Sequence, residues 1–428
     1  MSTQSEKLAE VGLRHQLAIH PLRVLNPIKA NIFYVPVYEF VSITLGSMPT
    51  CSRQVPPQLL SSHSSRMVHA AAALRNSSHW QRCFGCDHIF ASSFTDSPKS
   101  RIQSRMQPLS EVLKCATAGR YKARSGGGCQ TEVPYGTNYH GVQRYEAAPE
   151  ADRPLLVSFF GSLDVCCSGA GIRCAMGDIL ATVLGQTDVL ILPSVRFSNM
   201  TDIFASQRRT FANTCSGRAL RMIERASNAS HAAEMRRVWL GSVATASEHS
   251  ESQILVSQRA GYSMARSIFC LIPPGDNFIS SRLYSAIGAG CLPVILHTTI
   301  LHAAAFSSLV NYTAFAVIVP ADAFLRDPGS LVPMLRSMPA PEVRQRQRAL
   351  AAARPHLLFD VMNGTAAAAH FLEMAVTRCF PQMGNCGMRQ RGNGIVHNTR
   401  VTTHNTRINK VGTNAGLSLY QPPTKRAA

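Results

Sequence analysis

Short apolar runs cut by glycine or proline recur along this chain, and between them the apolar positions fall three or four residues apart. Runs of the first kind predict buried strands at Leu155 to Phe160, Asp188 to Leu192, Ile268 to Ile272, Leu292 to Leu296 and Phe315 to Val319. Helical segments such as Pro341 to Ala352 separate them, and that alternation implies α/β layering with parallel strands and helical crossovers. Upstream, Ala30 to Pro36 is a β-rich run closed by proline, with Glu39 in the loop that follows. Pro56 to Arg75 carries helical spacing through Leu60, Val68, Ala71 and Leu74. Trp80 to Phe90 runs from a polar turn into a short apolar strand, which puts Asp87 and His88 at a strand edge. The polar, glycine-rich stretch Gly119 to Tyr145 predicts a long loop and crossover. These signals suggest a first half over residues 1–150, a second over 151–380 and a tail over 381–428.

One stretch carries chemistry beyond layering. Ser267 to Ile272 is an apolar strand cut by Pro273-Pro274-Gly275-Asp276; Ser280 and Ser281 then open a helix with Arg282 in its first turn, and Gly290 releases it into Leu292 to Ile295. A cation in the first turn of a helix opposes the helix dipole unless an anion binds there. On a phosphate the same guanidinium makes forked, charge-assisted bonds, so this half-βαβ unit reads as a diphosphate site. The competing reading is a buried βαβ unit whose glycines serve packing.

At 428 residues and 45% apolar content the chain can build full hydrophobic cores. No stretch of eighteen or more uncharged apolar residues occurs, so no membrane span or signal segment is expected. The net charge of +19 suggests nucleic acid until it is mapped: the last acid is Glu373, and eight Lys or Arg follow it in a segment rich in Asn, Thr and Gly. That tail is expected to be disordered, and no nucleic-acid partner is expected for the body. Cys83 and Cys86 have ligand-like spacing without a second pair at the right distance, so no metal site is assigned. Thirteen cysteines and five sequons, starting at Asn76, Asn199, Asn228, Asn311 and Asn363, lean toward a secretory compartment in which disulfides form.

Four blocks in order give the chain a resemblance to the exostosin family of glycosyltransferases: Ala30-Asn31-Ile32-Phe33-Tyr34-Val35-Pro36; Trp80, Arg82, Gly85, Asp87, His88 and Phe90; Phe159 to Arg173; and Ser267 to Val294. The resemblance spans roughly residues 20 to 355. It implies a GT-B fold, in which two Rossmann-like halves face a cleft, the first taking the acceptor glycan and the second a nucleoside-diphosphate sugar. It further implies inversion at the anomeric carbon, a Golgi location, a polysaccharide product and no cofactor beyond the sugar nucleotide, and it allows oligomers.

Carried over residue by residue, the resemblance makes Arg173 and Arg282 the diphosphate residues, with Gly161, Gly275 and Ser281 allowing close contact and Asp276 meeting donor hydroxyls. Asp87 is the expected base, with His88 and Glu39 as alternatives. Three positions depart from the family pattern: Ser285 replaces an acid expected to hold the donor ribose, Thr298 stands near an expected aspartate, and Ala304-Ala305-Phe306 replaces Leu-Pro-Phe. No counterpart of the family's first strand is recognisable upstream of His20. These departures support an alternative, a catalytically silent relative that binds glycan or steadies a partner.

Overall fold

The computed structural model describes residues 9–39, 41–42, 63–92, 109, 112–113, 116–120, 129–136, 153–164, 167–183, 186–193, 215–225, 260–275, 277–359 and 364–379. All belong to one unit, Met1–Cys386, and the expected tail lies outside the described residues. Two parallel sheets organise this unit. The first has the order β1-β2-β3-β4, from Phe33–Tyr34, His88–Ser92, Thr117–Arg120 and Gln130–Glu132. The second has the order β6-β5-β7-β8-β9, with β5 at Leu155–Gly161, β6 at Val189–Pro193, β7 at Ser267–Ile272, β8 at Leu292–Ile295 and β9 at Val317–Ile318. Every pairing is parallel.

The five apolar runs of the second half each supply one strand, shifted by a residue or two at the ends. The first half is less regular. Only Phe33–Tyr34 of the expected Ala30 to Pro36 strand pairs: Val35 N still donates to Ile89 O at 2.8 Å, but Val37 N, the next amide on that side, turns back to Val35 O at 2.9 Å. The stretch expected to be loop from Gly119 contains the end of β3 and all of β4. Those strands escape periodicity because they are short and polar in sequence, yet pairing buries Thr117 and Thr131.

Period-two alternation decides what covers the first sheet. Phe90 points to a small cluster with Met67 and Ala71 of helix α2 (His63–Asn76) and Trp80 of α3 (Ser78–Cys83). Ile89 and Ala91 point to the opposite face, into the large core that also holds Leu13 of α1 (Ala9–Ala18). In the second half, α4 (Ala170–Val183) follows β5, α5 (Cys215–Arg225) follows β6 and α6 (Ser281–Gly288) follows β7. The long helix expected at Pro341 to Ala352 extends over Ala340–Leu357 as α7.

A boundary at 150 does not divide this packing into two uninterrupted halves. Helix α8 (Ala366–Met374) returns to the first sheet, where a β-carbon on Gly119 would lie 2.8 Å from the Phe371 ring. Gln16 of α1 fixes the return: its amide donates to Leu358 O at 3.0 Å and its carbonyl accepts from Ala368 N at 3.0 Å. A disulfide, Cys129–Cys379, ties the same segment to the start of β4. Disulfides Cys174–Cys215 and Cys270–Cys291 brace the second sheet, and Cys83 and Cys86 are disulfide-bonded as well.

Candidate functional site

The order β6-β5-β7-β8-β9 reverses direction between β5 and β7. The chain leaves β5 for one neighbour and β7 for the opposite one, so the loops at their carboxyl ends diverge and open a crevice. Gly161, Arg173, Gly275, Ser281 and Arg282 all belong to these two loops and the helices they feed.

Two arginines cross between the loops. Arg173, in the first turn of α4, donates its Nε to Pro274 O at 2.6 Å and its Nη1 to Ser162 O at 2.9 Å. Arg282, in the first turn of α6, donates its Nε to Phe160 O at 2.9 Å and lays its guanidinium 4.9 Å from the centre of the Phe159 ring. Each helix thus grips the strand end that precedes the other. Arg173 is 4% exposed and its bonds hold the two loops together, which makes it a positioning group.

Glycine is dictated where the loops touch. Gly161 has φ +155, and a β-carbon there would sit 2.2 Å from Arg282 Nη2. A β-carbon on Gly169 would lie 2.3 Å from Pro274 O, in hard contact with main chain. Gly275 is looser, with Arg173 Nη2 3.4 Å from where its β-carbon would be. Gly169 was not singled out from sequence, since only the approach of a loop more than a hundred residues away makes it special.

The expected serine cap at α6 is absent. Ser280 occupies the N-cap position with extended backbone, but its side chain makes no capping bond. Its Oγ is buried without a hydrogen-bond partner among the described residues, and so is Nη1 of Arg282. Two donors at one helix start, one of them cationic, are therefore unsatisfied where the helix amides also point outward. Ser281 is buried beside them. Asp276 lies outside the described residues. Ser285 is fully buried on α6, one turn beyond Ser281.

The base candidates separate to opposite ends of the first sheet. Asp87 and His88 open β2 and so lie at its amino end. Asp87 Oδ2 accepts from Arg82 Nη2 at 2.6 Å, and Oδ1 accepts from His88 Nδ1 at 2.7 Å. The His88 ring lies 4.9 Å from Phe33 and 4.5 Å from Trp80, and Trp80 in turn covers Gly85, where a β-carbon would come within 2.1 Å of the indole. Every residue of the Trp80 to His88 motif is thus used in one knot that joins α3 to β1 and β2. Burial alone would raise the Asp87 pKa, but the hydrogen bonds from His88 and Arg82 outweigh it and hold the carboxyl below its ordinary value. A general base needs a pKa nearer neutrality and a free lone pair at the ligand end of the sheet.

Glu39 has the other placement. It follows β1 at the carboxyl edge, is 4% exposed, and accepts a short hydrogen bond from the Ser92 hydroxyl at the end of β2. Register carries this edge onward through Ser92, Arg120 and Glu132 on adjacent strands. Beside Glu39, the Ser42 hydroxyl is held by Arg66 Nε at 2.7 Å and His63 Nδ1 at 2.9 Å. Ser92, Arg120 and Glu132 were missed from sequence, where nothing marks them as neighbours until the strands pair. Among the described residues no group of three or more His, Cys, Asp or Glu could hold a metal ion, and no helix is long and apolar enough to cross a membrane.

Comparison with known proteins gives this geometry a context. The Exostosin GT47 domain family matches residues 7–335. The chain is 25% identical over 348 residues to the probable arabinosyltransferase ARAD1 of Arabidopsis thaliana, covering 80% of this chain and 61% of that protein. It is 23% identical over 355 residues to the probable glucuronosyltransferase GUT1 of Oryza sativa subsp. japonica, covering 80% of this chain and 67% of the relative. A third relative, the probable beta-1,4-xylosyltransferase IRX10L of Arabidopsis thaliana, is 36% identical over 84 residues, 19% of this chain and 18% of its own. The chain thus spans about three fifths of the length of the first of these relatives.

Proposed function

The chain belongs to the exostosin GT47 family, and from that premise we propose that it is a glycosyltransferase moving a sugar from a nucleoside diphosphate to a growing polysaccharide. The observation that carries this reading is the unsatisfied Arg282 Nη1 at the start of α6, beside the β5–β7 crevice. A buried cationic donor without an acceptor costs free energy, and a diphosphate that takes its place in the crevice supplies one. In this reading the architecture is GT-B: the second sheet holds the donor, the first sheet presents the acceptor, and the expected division near residue 150 is functional even though α8 crosses it.

The chemistry follows from which charges must move. An acceptor hydroxyl attacks the anomeric carbon as the bond from that carbon to the diphosphate oxygen breaks, inverting the configuration. The diphosphate leaves with the electron pair, and Arg282 with the α6 amides stabilises the charge it gains. Arg173 keeps the two loops at the right separation, and Gly161 lets the guanidinium lie against main chain. Glu39 takes the hydroxyl proton, being the base candidate at the carboxyl edge of its sheet. Asp87 and His88 hold the motif knot together at the other end. The sugar nucleotide serves as co-substrate and no cofactor is assigned. The activities named for the relatives, arabinosyl-, glucuronosyl- and xylosyltransferase, define the sugars to screen first, and the Golgi lumen expected from the family resemblance is the compartment proposed.

Ser285 favours a second reading, a silent subunit, because a buried serine cannot replace a ribose-binding carboxylate. Thermal stabilisation by a panel of nucleoside diphosphates, followed by turnover with the matching sugar nucleotides, decides between them. Stabilisation lost in Arg282→Ala together with turnover supports the enzyme. Binding without turnover supports the silent subunit, and the absence of any nucleotide effect on a folded sample overturns the donor site at Arg282 and leaves the silent, glycan-binding or partner-steadying reading.

A further inference from the structure

We propose that Asn311 carries an N-linked glycan on the side of the second sheet away from the candidate donor crevice. Asn311-Tyr312-Thr313 is one of the chain's five sequons, and only it and Asn76 fall among the described residues. The two differ in local geometry. Asn76 is the last residue of α2, and its hydroxyl partner Ser78 begins α3, so the tripeptide joins two helices. Asn311 precedes a short 3-10 turn, Tyr312–Ala314, and its Oδ1 accepts from both Thr313 N at 3.1 Å and Thr313 Oγ1 at 2.7 Å.

That arrangement has a chemical consequence. Donation from the threonine hydroxyl and main-chain amide to Oδ1 fixes the orientation of the side-chain amide through the oxygen that does not react. The contacts involve only residues 311–313, so a nascent chain can form the same turn before it folds. Transfer then requires a lipid-linked oligosaccharyl diphosphate. Nδ2 attacks the anomeric carbon, the carbon–oxygen bond to diphosphate breaks with its electrons leaving on the diphosphate, and the proton that Nδ2 loses passes to a basic group of the transferring enzyme.

The finished fold accommodates the product. Asn311 is exposed, while Tyr312 beside it is buried and its hydroxyl donates to Ala305 O at 2.8 Å, anchoring the turn. Arg346 of α7 donates to Thr313 O at 3.3 Å and Ala316 O at 2.8 Å, so the turn is held from behind as well. The turn enters β9 from its amino end, and β9 is an edge strand two places from β7. A glycan here projects away from the carboxyl ends where Gly161 and Arg282 lie, leaving the crevice open. The buried disulfide Cys270–Cys291 fits a chain that matures in the oxidising compartment where such transfer occurs.

The test is occupancy mapping of the full chain produced in a eukaryotic secretory host. Enzymatic glycan release in heavy-oxygen water converts an occupied asparagine to labelled aspartate, read by peptide mass spectrometry. The peptide containing Asn311 is expected to carry the label, and Asn311→Gln and Thr313→Ala are each expected to lose one glycan's gel shift, whereas Thr313→Ser keeps it. An unlabelled Asn311 peptide overturns the proposal, whether another sequon is labelled or none is. Because occupancy is read on the unsubstituted chain, a variant that fails to fold does not blur the result.

Discussion

Arg282 donates its Nε to the main-chain carbonyl of Phe160, 122 positions earlier in the chain and at the carboxyl end of the neighbouring strand β5. One edge of the guanidinium is thereby fixed on β5 while its Nη1 remains without an acceptor. A cation held in place by one bond and left unsatisfied on another side is prepared for an anion. Arg282→Ala is expected to abolish stabilisation by nucleoside diphosphates, a loss of about 2.7 kcal/mol when ligand stands at a hundred times its dissociation constant. Arg282→Lys should not restore it, because an ammonium cannot bond Phe160 and a phosphate in the same fork. Paired melting curves with and without nucleotide check both.

Three glycines near the crevice should respond in graded fashion. Gly169→Ala drives a methyl against Pro274 main chain and is expected to cost about 1–3 kcal/mol. Gly161→Ala meets Arg282 Nη2 in a backbone conformation that side chains rarely adopt, so it should lower stability and also weaken nucleotide binding. Gly171→Ala, in open space within α4, should gain about 0.5–1 kcal/mol. Chemical denaturation of the three variants in parallel would reveal whether the order holds.

Glu39 and Asp87 make opposite predictions. Glu39→Gln should reduce turnover by about 100- to 10,000-fold while leaving nucleotide stabilisation unchanged. Asp87→Asn should instead lower the melting temperature and leave turnover per folded molecule near the unsubstituted value. Equal turnover losses for both, at equal folded fraction, would return Asp87 to the reacting centre.

Acid sensitivity gives a further check on Asp87. Its carboxyl has a folded pKa below the unfolded one, so ionisation stabilises the native state above the ordinary carboxylate pKa. That contribution falls as pH drops through the folded value. Asp87→Asn is expected to cost about 1–3 kcal/mol at neutral pH, toward the low end because Arg82 is 40% exposed, and to flatten the acid limb of the stability profile.

The Cys129–Cys379 bridge closes a separation of 250 residues and secures the return of the C-terminal segment to the first sheet. Cys379→Ser should destabilise by about 2–5 kcal/mol. Limited proteolysis should then cut first beyond α8, where the partly exposed Arg378–Glu132 ion pair at 3.2 Å is left to hold the segment while α8 itself stays packed through Gln16 and Phe371.

The sequence by itself determined the second sheet and the identity of its arginine. Strands β5 to β8 are apolar runs punctuated by glycine or proline, and the position of Arg282 follows from the Pro-Pro-Gly turn and the start of the next helix, all of which are local signals. The expected base at Asp87 comes from the family resemblance and from no local signal; that Asp87 and His88 stand at the start of β2 while Glu39 follows β1 is plain only once the strands are placed. Tertiary structure decided the rest. The crossing of Arg173 and Arg282 between loops, the need for glycine at 169, the line from Glu39 to Ser92 and the return of α8 all depend on groups brought together across long stretches of chain. Periodicity reports which face of an element is buried; which distant group it is buried against depends on strand order and crossovers, and these are fixed only when the sheets assemble.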